Sequence, residues 1–364
     1  MKIAHVVDCM EVGGAETLVS QMCRLQREQG HDPRIYALGT LGSLGEQMLE
    51  EGFAVQANLG QHFPGALRCF YRTFKELHPE VVHLHNPTPA CYAAMPARLA
   101  GVRSVVSTRH GLVARPREII KELKYSVAAG FCDWIVGVCD ATANNLKNAH
   151  RAQTEKIVRV YNGTVPLKRT AKEEWPPKTG FTLVYVGRLA PVKNLNLLLL
   201  AFCTALSSRP DLRLWMVGDG GERRMLENLA TEIGVAAKVK FWGLQLDVAP
   251  FFSAADAFIM SSRSEGLPVS LLEAFSLGLP AIVTNVGGMA EVVLLTQGGL
   301  TVSEHDASAM AAAILRLAGN GAERKQFALN AEAEFQSSFT LQAMAEAYMA
   351  LYRNTPRARH SAMG

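Results

Sequence analysis

Short apolar runs rich in β-branched and aromatic residues alternate with amphipathic stretches along most of the chain. IAHVV at 3–7, PRIYAL at 33–38, EVVHLH at 80–85, RSVVST at 103–108 and WIVGVC at 134–139 are too short for buried helices, which predicts strands. Amphipathic segments such as 16–29 and 118–129 separate them, and the pattern resumes after residue 180 with FTLVYVG, RLWMVGD, VKFWG, AFIMSS and AIVTN. Alternating strand and helix predicts parallel sheets joined by right-handed crossovers. Between the two series, KRTAKEEWPPKTG at 168–180 combines charges, paired prolines and a glycine, and reads as a linker. The expectation is α/β: two doubly wound domains, 1–168 and 175–340, with ligand between the carboxyl ends of their sheets. Near the end, Leu341, Met344, Tyr348 and Leu351 share one stripe of an amphipathic helix.

Composition agrees with two buried cores: of 364 residues, 49% are hydrophobic and 19% charged. The net charge of +4 lies wholly in residues 1–168, with 19 basic and 15 acidic residues against 18 of each in the remainder. That excess is too small for a nucleic-acid binder but allows an acidic ligand or a membrane surface. Seven scattered cysteines without a Cys-x-x-Cys pair read as free thiols of a reducing compartment. MKIAHVVDCM lacks a signal-peptide core, and no apolar run approaches the ~18 residues of a membrane span. The reading is a cytoplasmic protein, at most peripheral to the inner face of the cell membrane.

The richest constellation is SSRSEGLPVSLLEAFSLGLPAIVT at 261–284. Pro268 is placed as the first residue of a helix, whose start offers backbone amides of Gly266 and Leu267 to an anion. Glu273 follows among Leu271, Leu272, Ala274 and Phe275, where a carboxylate needs a partner. Ligand hydroxyls suit that role better than one internal salt bridge, and Glu265 at the loop tip can face the same ligand. In LVYVGRLAPVKN, Gly187 ends a strand and Arg188 and Lys193 flank the turn after it. A planar fork and a mobile point charge there suit a diphosphate, although such a pair in isolation is often a solvated loop. Gly13 and Gly14 in VVDCMEVGGAETLV let backbone approach a ligand, but this is not the dinucleotide fingerprint, since the third glycine is missing.

His110 lies just past a strand end in STRHGL, where a histidine is more often a structural hydrogen-bonder than a ligand contact. His83 and His85 share a strand face, and without a third ligand at suitable spacing a metal site is not expected. Neither a Ser-His-Asp set, nor a nucleophile elbow, nor a Walker loop can be assembled. Segment 114–131 places Ile119, Ile120, Leu123 and Val127 at helical spacing beside Arg115, Arg117, Lys121 and Lys124. A surface helix facing the core is one reading, and a peripheral contact with anionic lipid the other.

VGRLAPVKN, GDG at 218–220, VKFWG at 239–243 and EGLPVSLLEAFSLGLPAI, with the GGAE loop and the Ser-Thr-Arg-His segment, resemble the retaining glycosyltransferases of family 4. The resemblance spans residues 3 to about 353 and rests most on the two glutamates separated by seven residues. It implies the GT-B fold of two Rossmann-like domains, with the last helix, about 341–354, returning to the first domain. It also implies that Arg188 and Lys193 grip the diphosphate of a nucleotide-sugar donor, aided by amides around Gly266, Leu267 and Pro268. Glu265 would hold hydroxyls of the transferred sugar and Glu273 those of the ribose, while Gly243 and Leu244 read the base. Gly13 and Gly14 would approach the phosphates, His110 the sugar, and Asn162 matches the family's Asn-Gly before the linker. One departure is Gly111, where the family often has an acidic residue, which leaves the acceptor contacts open. No metal or other cofactor is expected, because the cations replace it. The partners implied are a nucleotide-sugar donor, with UDP from family frequency, and a glycan or lipid-linked acceptor in envelope or exopolysaccharide synthesis. A sugar-nucleotide epimerase of the same fold and a non-catalytic nucleotide-sugar binding subunit remain as alternatives.

Overall fold

The computed structural model describes residues 1–60, 63–112, 119–170 and 180–355. Contacts divide the chain into two compact units, Met1–Thr164 with the segment from Leu341 onward, and Val165–Thr340. The first contains β1 (Lys2–Val7), β2 (Asp32–Ala37), β3 (Ala54–Gln56), β4 (Val81–His85), β5 (Ser104–Arg109), β6 (Trp134–Gly137) and β7 (Ile157–Arg159). The second contains β8 (Thr182–Val186), β9 (Arg213–Val217), β10 (Val239–Gly243), β11 (Ala257–Met260), β12 (Ala281–Thr284) and β13 (Gly299–Val302). The sheet orders are β3-β2-β1-β4-β5-β6-β7 and β10-β9-β8-β11-β12-β13. All pairings between these strands are parallel. Each unit is thus a Rossmann-like α/β layer whose strand order reverses once, between β1 and β4 and between β8 and β11. The carboxyl ends of the strands at such a reversal are where sheets of this kind bind ligands.

The central strands β4, β5, β8, β11 and β12 are buried at every residue because both of their faces are covered. Consecutive residues of β1 serve opposite faces: Val6 joins a cluster with Phe70, Phe74, Ala90, Ala94 and Tyr125, whereas Val7 meets Val19, Cys23, Ile35, Met48 and Phe53. The helix Leu341–Arg353 packs on the helix Gly14–Glu28 and on β5. Its buried stripe is Leu341, Met344, Tyr348 and Tyr352, so Tyr352 stands where sequence spacing placed Leu351, which is half-buried. The tyrosines win the inner position because their hydroxyls find partners there: Tyr348 bonds Thr108 at 3.0 Å and Tyr352 bonds His83 at 2.7 Å.

Three short edge strands, β3, β7 and β13, were not expected from sequence. The segment read as a linker lies outside the described residues from 171 to 179, as do residues 113–118 of the basic segment. The described helix Ile119–Ala129 turns Tyr125, Ala128 and Ala129 to the core, while Ile120, Leu123 and Val127 are 72%, 65% and 65% exposed. The core-facing reading of those three residues is therefore corrected. All seven cysteines are free, and no described helix is long and apolar enough to cross a membrane.

Candidate functional site

In the second unit the loops after β8 and β11, the strands on either side of the reversal, are stitched together. Ser261 Oγ donates to the carbonyls of Lys193 and Asn194 at 2.9 and 3.0 Å, and the Arg263 amide donates to Val192 O at 2.8 Å. Asn194 takes the left-handed conformation, φ 52°, which turns the chain from Lys193 into the helix Leu195–Ser208. This stitching brings Lys193 onto the Glu265 carboxylate as a largely buried ion pair, and Ser262 Oγ adds a bond to the same carboxylate at 2.9 Å. Arg188 is exposed. Its carbonyl accepts from the buried Tyr185 hydroxyl at 2.9 Å. Burial raises the Tyr185 phenol well above its usual range, with Glu265 pushing it further up and Arg188 pulling it down. Arg188, Lys193 and Glu265 therefore share one neighbourhood around a tyrosine that no sequence motif had marked.

Pro268 is the residue before the helix Val269–Ser276 rather than its first residue, a shift of one position. Its backbone, φ −65° and ψ 132°, is extended and makes it the cap. Gly266, Leu267 and Pro268 are buried, and the Gly266 carbonyl accepts from the Gly288 amide at 2.7 Å. Glu273 projects from this helix between wholly buried Leu271, Leu272, Ala274 and Phe275. Burial pushes its carboxyl up to about 7, and no described residue donates a hydrogen bond to it. Next door, glycines let the ends of β8, β9 and β10 meet. Gly218, φ 125°, donates to Gly243 O at 2.8 Å, and a Cβ there would lie 2.0 Å from Gly187 O. Gly243 also has positive φ, 70°, and Leu244 beyond it is 58% exposed.

In the first unit, Gly13 caps the helix Gly14–Glu28 at the end of the loop after β1, in extended backbone that any residue could adopt. A Cβ on Gly13 would meet Glu16 Oε2 at 2.4 Å, so the glycine makes room for the carboxylate of the first helical turn. Asn162 is buried, and the neighbouring Gly163 amide donates to Met344 Sδ at 3.2 Å on the last helix. His110 follows β5, its amide donating to Asn86 Oδ1 at 3.2 Å. The histidine reading from sequence needs a correction. His5 of β1 supplies the third ring beside His83 and His85, with ligand-type atoms of all three within 4.8 Å. Sequence spacing missed it because β1–β4 register, not proximity in the chain, sets His5 against His83. All six nitrogens of these rings are engaged: His5 with Gln26 and His85, His83 with Tyr352 and Thr108, and His85 with His5 and His110.

Comparison with known proteins follows the division into units. Residues 12–166 match the family model for Glycosyltransferase Family 4, and residues 168–334 match that for Glycosyl transferases group 1. The lipopolysaccharide core biosynthesis glycosyltransferase LpsE of Rhizobium meliloti is 32% identical over 50% of this chain and 52% of its own length. The chain thus spans about half the length of that relative and of LpsD, which matches similarly. An Escherichia coli UDP-Gal:alpha-D-GlcNAc-diphosphoundecaprenol alpha-1,3-galactosyltransferase is 27% identical over 69% of this chain and 70% of its own. Among solved structures, Anabaena HepE in complex with UDP and glucose superposes with a TM-score of 0.85 at 19% identity, covering 96% of this chain and 98% of that one.

Proposed function

Because the chain belongs to the family 4 glycosyltransferases of GT-B fold, we propose that it transfers a sugar from a UDP-sugar to a hydroxyl acceptor with retention of configuration at the anomeric carbon. The observation that carries the donor assignment is the second unit's arrangement. A lysine–glutamate pair sits at the strand-order reversal, with Arg188 in its neighbourhood, and Glu273 is half-buried without a hydrogen-bond donor among the described residues. In this reading Lys193, Arg188 and backbone at the start of the helix Val269–Ser276 stabilise the charge that builds on the leaving diphosphate. Glu265 holds sugar hydroxyls, Glu273 accepts from the ribose hydroxyls, and backbone at Gly243–Leu244 meets the base. In the first unit we assign Gly13 and Gly14 to phosphate and His110 to the sugar, with Asn162 as support beneath the last helix. The C–O bond to phosphate breaks while the acceptor oxygen attacks the same face, and the acceptor proton passes to the departing phosphate oxygen. The cations take the place of a metal.

The acceptor proposed is a lipid-linked glycan of envelope or exopolysaccharide synthesis, as the relatives' names support. The helix Ile119–Ala129 supports its presentation at an anionic membrane face. Glu122, its acidic residue in the first described turn, is drawn inward by Arg109 at 2.5 Å and by His150 at 3.4 Å. Lys121, Lys124 and the apolar Ile120, Leu123 and Val127 are left on the outside.

The test is a donor screen that measures nucleoside diphosphate release with and without acceptors, each run with EDTA. Acceptor-dependent release that survives chelation and leaves the anomeric configuration unchanged is expected. Release without acceptor dependence points to the epimerase alternative, donor binding with no release points to the binding subunit, and rescue by magnesium or manganese overturns the metal-free mechanism.

A further inference from the structure

Buried imidazoles form a line inside the first unit. His5 Nε2 lies 2.9 Å from Gln26 Oε1, His5 Nδ1 lies 3.1 Å from His85 Nε2, and His85 Nδ1 lies 3.2 Å from His110 Nε2. The rings come from β1, from β4 and from the residue after β5, three neighbouring strands, so sheet register fixes the spacing. Burial keeps them neutral: His5 and His110 are lowered to about 4, and His85 falls well below the usual histidine range. A neutral imidazole has one N–H and one lone pair, so the tautomer of one ring dictates that of the next.

Gln26 sets the sense of the line. Its carbonyl oxygen faces His5 Nε2 at 2.9 Å. His5 then donates from Nε2 and accepts at Nδ1 from His85 Nε2–H. His85 Nδ1 in turn accepts from His110 Nε2–H, and His110 Nδ1 is left as a lone pair, buried and without a hydrogen-bond partner. Reversing the amide would reverse every bond and make that nitrogen a donor. A line that served packing alone would end on a protein group, because an unfilled polar atom in the interior is costly.

We propose that Gln26 and His5 are positioning residues that act through His85 to hold His110 as the Nε2–H tautomer, so that His110 Nδ1 accepts a hydrogen bond from a ligand hydroxyl. The hydroxyl half rests on the assignment of His110 to the sugar; the tautomer half does not.

The full chain labelled with 15N-histidine is studied at pH 7.5 by long-range proton–nitrogen correlation, with His110→Ala identifying the His110 signals. The wild type should carry the His110 proton on Nε2. Gln26→Leu should give mixed tautomers and raise the KM of the UDP-sugar selected by the donor screen about two- to tenfold, the worth of one neutral hydrogen bond, with less change in kcat. Gln26→Glu, whose carboxyl oxygen can accept from His5 Nε2–H as the glutamine oxygen does, should restore both readouts. If Gln26→Leu fails to fold, His85→Gln severs His110 from Gln26 and should give the same mixture. A wild-type proton on Nδ1, or a tautomer unmoved in the folded variants, overturns the relay. The expected tautomer together with an unchanged KM in His110→Ala leaves the relay standing and removes His110 from the sugar contact.

Discussion

Replacing Glu273 by Gln removes a charge and keeps the shape of the side chain. Burial holds the Glu273 carboxyl at about 7, against an ordinary 4.5. Because the folded value is raised, the unfolded chain releases this proton more readily. Wild-type stability is therefore unaffected below about pH 4.5, falls as pH rises through the interval to about 7, and is level beyond it. At ~1.4 kcal/mol per pH unit the full displacement corresponds to about 3 kcal/mol above pH 8, and only about 1 kcal/mol at pH 5. Glutamine is neutral at every pH, and any cost of burying its amide is constant. The difference in unfolding free energy should thus shift by about 2 kcal/mol in favour of Glu273→Gln between pH 5 and pH 8. Urea unfolding of both proteins across this range, followed by tryptophan fluorescence, measures it; Trp215 and Trp242 report on the second unit. The same variant should bind UDP roughly 10- to 100-fold more weakly, the worth of a charged hydrogen bond. A stability difference that stays flat with pH would refute burial as the cause. A stabilised variant with unchanged UDP affinity would refute the ribose contact.

Lys193→Ala should lower transfer by about two to three orders of magnitude, as loss of a preorganised charge contact does, and near-normal turnover would sink the diphosphate assignment. Wild type should sediment with anionic liposomes at low salt and release at high salt, whereas Ile120→Ser combined with Leu123→Ser and Val127→Ser should stay in the supernatant; equal binding by both would show that this helix is not the contact. Gly218→Ala should lower the melting temperature, since a Cβ there meets Gly187 O at 2.0 Å in backbone at φ 125°. A loss of at least 1–3 kcal/mol is expected from the strained conformation alone, and an unchanged melting curve would contradict the close approach of the strand ends.

The central strands were legible because burial on both faces writes them as continuous apolar runs. The missed β3, β7 and β13 are all edge strands of three or four residues, where one side lacks a neighbour and the pattern weakens. Helical periodicity in 119–129 marks a stripe but not its direction. Tyr125, Ala128 and Ala129 make a second stripe with a smaller apolar signal, and it is this one that meets the sheet. In the candidate site, Lys193, Glu265 and Glu273 stand within motifs that sequence displays directly. Tyr185 inside a strand, Ser261 at a strand end and the His5–His85–His110 line carry no local signature, because long-range register and loop stitching create their contacts.

Lys193 and Glu265 satisfy each other. A phosphate that drew Lys193 away would leave Glu265 a largely buried carboxylate held by Ser262 alone. On the reading proposed here, an intact nucleotide sugar replaces both partners at once, phosphate for the lysine and hydroxyls for the glutamate. A bare nucleoside diphosphate replaces only one. On that reading the pair would act as a coincidence detector, accepting two chemically different groups that arrive together and resisting either alone. Once the sugar had moved to its acceptor, re-forming the pair would compete with the diphosphate for the lysine and would bias the end of a turnover toward expulsion of the spent carrier.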